Sequence, residues 1–221
     1  MYWFLKWVLV GPFVRLLARP TVTGHLPKRG PVVLAPNHRT EIESVVLGVA
    51  LRRRITYVAK SDYFDRGALG ARLYGLLCRA TGQIPIIRSG NGVADPALDA
   101  ARGLLDRGGV WAIYPEGTRS PDGRLYRGHT GVMRVALSRP DATVIPVGIL
   151  GAETVGLGRP GRVEIRLGAP LDLSRWHGRA DDPQAWREAT DALMREIREL
   201  TQQEYVDRHP TVDEVARRNA A

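Results

Sequence analysis

From Pro20 onward the chain alternates short apolar runs with longer stretches of helical periodicity, and that alternation points to an α/β fold. Residues 30–36, GPVVLAP, read as a buried strand, and TEIESVVLGVALRR as a helix from Thr40 whose Ile42, Val45, Val46, Val49 and Ala50 make one face. RITYVAK is a second strand, followed by a helical stretch that includes residues 68–80. GQIPIIR is a third strand, and PALDAARGLLDRGG a helix stopped by its glycine pair. VWAIYP is a fourth strand, opening into the loop EGTRSPDGRLYRGH before a short helix through GVMRVALSR. ATVIPVGIL and RVEIRLGAP complete the strands, the second alternating through Val163, Ile165 and Leu167 as an edge or half-exposed strand does. A last helix runs from Pro183 to about Tyr205, with Trp186, Leu193, Ile197 and Leu200 in register. The expectation is one α/β domain: a mixed, mostly parallel central sheet flanked by helices, with an apolar, amphipathic and membrane-associating helix in front.

A chain of 221 residues buries one full core better than two small ones. The expected division is residues 1–20 as a membrane-interface helix, 21–207 as the functional domain and 208–221 as a frayed or loosely packed tail. Lys+Arg of 32 against Asp+Glu of 23 gives a formal charge of +9, which calls for an anionic partner: nucleic acid, an acidic membrane face or phosphorylated small molecules. Only Lys6, Lys28 and Lys60 are lysines. The single cysteine, Cys78, rules out an intramolecular disulfide framework and sits among apolar residues as core filler. His25, His38, His129, His177 and His209 are scattered without metal-ligand spacing.

The first twenty residues, MYWFLKWVLVGPFVRLLARP, are broken by Lys6, Gly11-Pro12 and Arg15 into pieces too short to span a bilayer. They lack a charged leader and a cleavage site, so they are not read as a secretory signal. Two readings stay open. One is an interfacial helix with Trp3, Phe4, Trp7 and Phe13 as apolar anchors and Lys6, Arg15 and Arg19 for acidic headgroups; the other is a terminal helix packed on its own core.

His38 falls after a strand and before a helix, where α/β folds collect reactive side chains. A histidine there can take a proton from a hydroxyl if a carboxylate fixes its tautomer, and Glu43 stands five residues on. Thr40-x-x-Glu43 is equally a capping box, in which Glu43 bonds the Thr40 amide. The two roles are compatible, with one oxygen on that amide and the other toward His38. In YPEGTRS, residues 114–120, backbone amides freed by Gly117 and the Arg119 guanidinium can hold a phosphate, while Glu116 bonds a substrate hydroxyl or fixes Arg119. GQIPIIR ends a strand in Arg88.

Together these stretches resemble the glycerolipid acyltransferases of the 1-acylglycerol-3-phosphate acyltransferase type, from about Gly24 to Pro170. NHRTEIE is similar to the family's Asn-His block with a carboxylate five residues after the histidine, and GQIPIIR to its block ending in a phosphate-contacting arginine. YPEGTRS resembles Phe-Pro-Glu-Gly-Thr-Arg-Ser, and VIPVGI the apolar block built around a proline, here Pro146. YVAKSDYF resembles the segment whose lysine, here Lys60, lies near the acceptor phosphate, and RLYRGHTGVMRVAL the basic stretch that follows the third block. The departures are Glu43, where the family has aspartate, and Tyr114, where it has phenylalanine, which is expected to change little.

The resemblance implies transfer of a fatty acyl group from acyl-CoA or acyl-carrier protein to the free hydroxyl of 1-acylglycerol-3-phosphate, giving phosphatidic acid. His38 and Glu43 would be catalytic; Lys60, Arg88, Glu116, Gly117, Thr118 and Arg119 would bind or shape the phosphate pocket; Pro146 would line the apolar one. No cofactor is needed beyond the acyl donor. The expected location is the cytoplasmic face of the cell membrane, peripheral or monotopic. Acylation of another acceptor, such as glycerol-3-phosphate, another lysophospholipid or a glycolipid, fits the same blocks. A non-catalytic basic module binding acidic lipid or nucleic acid fits the charge, but the aromatics cluster at the apolar N-terminus and do not interleave with a basic stripe, which argues against nucleic acid.

Overall fold

A computed structural model describes residues 2–60, 84–86, 96–156 and 158–220. The chain begins with α1 (Tyr2–Phe4), a π-helical turn (Leu5–Leu9) and α2 (Val10–Ala18), one continuous helical run. Pro12 has no N–H and its ring excludes a carbonyl four residues back, so the preceding turn widens and the helix carries on through it. Seven strands form the sheet: β1 (Thr21–Thr23), β2 (Val32–Pro36), β3 (Ile55–Lys60), β4 (Ile84–Ile86), β5 (Val110–Ala112), β7 (Thr143–Leu150) and β8 (Glu164–Leu167), in the order β1-β8-β7-β2-β5-β3-β4. A separate parallel pair joins β6 (Leu125–Tyr126) to β9 (Tyr205–Val206). Among the described strand pairs only β7 and β8 run antiparallel. The helices that follow are α3 (Ile42–Ala50), α4 (Pro96–Asp106), α5 (Gly131–Ala136), α6 (Pro183–Thr201) and α7 (Val212–Ala220).

The sheet is covered on both faces, which is why β2 is buried at every residue. Val32 and Leu34 join the core under α2 and α3, while Val33 and Ala35 join the core under α4, α5 and α6. The half-exposed strand inferred for residues 162–170 does alternate, but β1 lies outside it, so it is one strand in from the edge. Asp182 caps α6 by accepting from the Gln184 amide at 2.8 Å, with Pro183 in the first turn. That helix ends at Thr201, short of the expected Tyr205, because Gln202 turns left-handed (φ 56°) and redirects the chain into β9. Residues 208–221 were expected to be frayed or loosely packed; 212–220 form α7, in which no residue from Val212 to Arg218 is buried.

Lys6 corrects a second expectation. Its side chain is not at headgroup level but 4% exposed, donating to the Leu51 carbonyl and, at 3.5 Å, to that of Arg53; Arg15 donates to the Val49 carbonyl at 3.2 Å. The Val49 and Leu51 oxygens are acceptors at the carboxyl end of α3, where cations are favoured. Burial, then the Arg15 charge, lower the Lys6 pKa to about 8. The same helical run also places Val14 and Ala18 in the core. Its other face bears Trp3, Phe4, Trp7, Val8, Leu9, Phe13 and Leu16, all 45% to 67% exposed. Among the described residues no helix is long and apolar enough to cross a membrane.

Candidate active site

The carboxyl ends of β2, β5 and β7 converge on one loop, and His38 is its centre. Asn37, the residue before it, is buried and clamped to β7: its amide donates to the Ile149 carbonyl at 3.1 Å, and its oxygen accepts from the Ile149 N–H at 2.7 Å. The His38 backbone is held from both sides by the loop after β5. Its N–H donates to Glu116 Oε1 at 2.8 Å, and its carbonyl accepts from the Ser120 N–H at 2.7 Å. A side chain on so constrained a backbone has few ways to point.

The imidazole is oriented by two further groups. His38 Nδ1 lies 2.9 Å from Glu43 Oε2, and the Tyr114 ring stacks on its face with centroids 3.8 Å apart at 18°. The Tyr114 hydroxyl is fixed in turn by Ser44 Oγ at 2.7 Å, while the Tyr57 hydroxyl donates to the Ser44 carbonyl at 3.1 Å. Burial raises the pKa of both tyrosines, keeping them neutral. The tyrosine at 114 therefore adds a tether that phenylalanine would lack. His38 is 17% exposed and Glu43 0%. Among the described residues Nε2 has no hydrogen-bond partner, so the ring's free nitrogen is the one that can meet a substrate.

Glu43 makes both contacts foreseen for it. Oε1 accepts from the Thr40 N–H at 3.1 Å, Oε2 faces His38, and the Arg39 N–H is shared between them at 3.0 Å each. Burying a carboxylate is costly unless its lone pairs are filled, and here N–H donors and the α3 N-terminus fill them. The capping box is only half made. The helix begins at Ile42 and not at Thr40, and Thr40 Oγ1 is buried without a hydrogen-bond partner. Glutamate's extra methylene lets one carboxylate, set inside the first turn, reach back to two amides and the ring together.

Glu116 is placed differently from its expectation. It is 1% exposed, bridging the His38 N–H with one oxygen and the Tyr126 N–H (3.1 Å) with the other, so both oxygens are engaged by backbone amides. Burial pushes its carboxyl up to about 8, against the pull of those two amides. The Gly117 N–H is likewise used, donating to the Tyr114 carbonyl at 3.0 Å and closing the turn. The glycine is required there: φ is +70°, and a Cβ would come within 2.8 Å of the His129 ring. Thr118 and Arg119 follow in the same loop, partly exposed, with Arg119 paired to Glu41 at 2.8 Å. Pro146 lies mid-strand in β7, buried in the sheet where a Cβ on Gly168 would strike its ring. Lys60 ends β3, at the carboxyl end of the sheet. Arg88, Cys78 and the helix expected over residues 68–80 lie outside the described residues.

Sequence reasoning missed the supports: Asn37, Ser44, Ser120, Tyr126 and Gln203, whose side-chain oxygen takes the second Asn37 donor bond at 3.0 Å. Asn37 alone left a signal, as the polar residue directly after the apolar strand and the Asn of the Asn-His block.

The 1-acyl-sn-glycerol-3-phosphate acyltransferase LPAT1 of the Arabidopsis thaliana chloroplast is 24% identical over 151 residues, 66% of this chain; the chain spans 40% of the length of that curated relative. The crystal structure of the 1-acyl-sn-glycerophosphate acyltransferase PlsC from Thermotoga maritima shares the fold, with a TM-score of 0.62 at 22% identity over 88% of this chain and 80% of that one. A protein-family model described as Acyltransferase matches residues 19–150, more than half of the sequence, and by that match the chain belongs to the acyltransferase family.

Proposed function

We propose that the protein transfers a fatty acyl group from acyl-CoA or acyl-carrier protein to the free hydroxyl of 1-acylglycerol-3-phosphate, giving phosphatidic acid. The observation that carries this is the His38–Glu43 pair, a buried carboxylate fixing one nitrogen of a partly exposed ring. Glu43 accepts the Nδ1 proton, which leaves the Nε2 lone pair to act as base. Nε2 takes the hydroxyl proton as the acceptor oxygen attacks the thioester carbonyl carbon. The C–O bond forms, the C–S bond breaks, and the imidazolium returns its proton to the departing thiolate. His38 ends as it began, without an acyl-enzyme, and general-base catalysis of this kind contributes roughly 10²- to 10⁴-fold. The stacked Tyr114 face and the Glu43 charge both favour the transient imidazolium.

Arg119 takes the acceptor phosphate, beside Thr118, and the resemblance adds Lys60 and Arg88. The exposed apolar ridge from Trp3 to Leu16 seats the enzyme on the cytoplasmic membrane face, where both the acceptor and the acyl chains reside. The test is incubation of the purified protein in detergent with labelled acyl-CoA, then acyl-carrier protein, and a panel of lysophospholipids, glycerol-3-phosphate and a glycolipid. The reading predicts phosphatidic acid, identified by mass, from lysophosphatidate. Product from another acceptor alone would replace the acceptor, and no transfer to any would refute the activity.

A further inference from the structure

The C-terminal arm, residues 202–220, takes no part in the chemistry above, yet it is tied to the catalytic loop at successive points. Gln203 holds Asn37 and donates to the Gly123 carbonyl at 2.6 Å. The rings of His129 and His209 stack 4.1 Å apart at 8°, beside Gly117. Arg218 donates to the carbonyl of Arg39, the residue after His38. Between these points a complete capping box starts α7, with the Thr211 N–H on Glu214 at 2.7 Å and the Glu214 N–H on Thr211 Oγ1 at 3.2 Å, and Arg208 grips Glu214 with two bonds.

A nine-residue helix is not stable alone in water and ordinarily docks by burying an apolar face. This one buries none: from Val212 to Arg218 no residue is buried, and Val212 is exposed. Its ties are polar and aim at the His38 loop, and Arg218 is the side chain they deliver. Arg119 comes to the same place from the other side, since the next residue, Ser120, donates to the His38 carbonyl. Burial, then the Arg119 charge, hold the Arg218 pKa below its usual value, with Glu41 and Glu43 opposing. Arg218, on the Arg39 carbonyl, and Arg119, paired with exposed Glu41, thus both belong to the His38 loop, where a dianion could take two guanidinium groups together.

We propose that Arg218 is a phosphoryl-binding residue, forming with Arg119 a two-guanidinium seat on the rim of the His38 loop for a phosphomonoester of the substrate. The identity of that phosphate rests on the acyltransferase reading; it belongs either to the acceptor lipid or to the coenzyme A donor. Calorimetric titration of the full chain with sn-glycerol 3-phosphate, and separately with coenzyme A, needs no turnover. Arg218→Gln keeps an N–H for the Arg39 carbonyl and removes the charge; Arg218→Lys keeps both. Arg218→Gln is expected to weaken one of the two ligands about tenfold, with Arg218→Lys close to the parent. The weakened ligand names the source. In turnover the KM for the corresponding substrate rises by the same factor, with kcat within about twofold. Unchanged affinities for both ligands, no binding of either by the parent, or a fall in kcat with both KM values unmoved would each overturn the proposal. If the parent acylates no phosphorylated acceptor but binds glycerol 3-phosphate through Arg218, the acceptor reading fails and the seat stands.

Discussion

Replacing Glu43 by glutamine separates the capping role from the catalytic one, because the side chain keeps its length and loses only charge and one acceptor. The carboxylate accepts from His38 Nδ1, from Thr40 and twice from the Arg39 N–H, all at 2.9 to 3.1 Å. An amide has one oxygen, so two placements compete. With the oxygen toward Arg39 and Thr40, its NH₂ faces the ring, Nδ1 must become the acceptor, and the proton moves to Nε2, where it blocks the base. With the oxygen toward the ring, the NH₂ faces two backbone donors and leaves a buried N–H unpaired, at about 1 to 3 kcal/mol. The first placement therefore wins, leaving roughly a tenth to a hundredth of molecules in the competent tautomer. Loss of the charge beside the imidazolium lowers the rate further, to a total fall in kcat of about 10²- to 10⁴-fold, with KM little changed. The assay is initial-rate thiol release from acyl-CoA, with circular dichroism to confirm folding. Glu43→Gln retaining more than half of the parental kcat would refute the tautomer argument and leave Glu43 as a helix cap.

Three other changes probe the surroundings. Glu116→Gln can accept only one of its two amides, and is expected to cost about 1 to 3 kcal/mol and to lower kcat through the His38 backbone. Because burial raises the Glu116 carboxyl from 4.5 to about 8, its contribution to stability is fully present below pH 4.5 and lost as pH rises through about 8, at up to about 1.4 kcal/mol per pH unit. Urea unfolding across that range should show this slope in the parent and not in Glu116→Gln; identical slopes would contradict it. Tyr114→Phe keeps the stack and loses the Ser44 tether, so about 1 kcal/mol of stability should go while kcat falls only a few-fold; a change in kcat beyond tenfold would mean that the hydroxyl, and not the ring face, orients His38. Leu9→Glu with Phe13→Glu, on the exposed ridge, should leave the melting temperature unchanged and weaken sedimentation with anionic vesicles about a hundredfold or more, whereas unchanged sedimentation would remove the ridge from membrane binding.

What could be read along the chain is what local periodicity controls. β2, β3, β5 and β7 are apolar runs that declare themselves, and the place of His38 just past the end of one of them was legible. The polar strand Thr21–Thr23 and the two-residue pairing of Leu125–Tyr126 with Tyr205–Val206 were not, since they exist only because distant backbone meets there. The same limit hid Asn37, whose partners lie on Ile149 and Gln203, more than a hundred residues away. Charge was misread where the fold turns it inward. Lys6 and Glu116 looked like surface groups for headgroup and substrate, but each instead satisfies backbone atoms that tertiary packing leaves over. Glu43 was the instructive case, since neither reading alone accounts for the four hydrogen bonds that its length permits.

The central claim is that His38 Nε2 is the base for acyl transfer, and His38→Ala tests it most directly. The ring is partly exposed and its removal leaves the backbone clamps of Glu116 and Ser120 in place, so the variant should fold. Product mass would be followed with labelled acyl-CoA and lysophosphatidate, at equal concentrations of folded protein. The account predicts loss of phosphatidic acid formation by at least about 10²-fold with the parental melting transition retained. Turnover within a few-fold of the parent by the folded variant would contradict it.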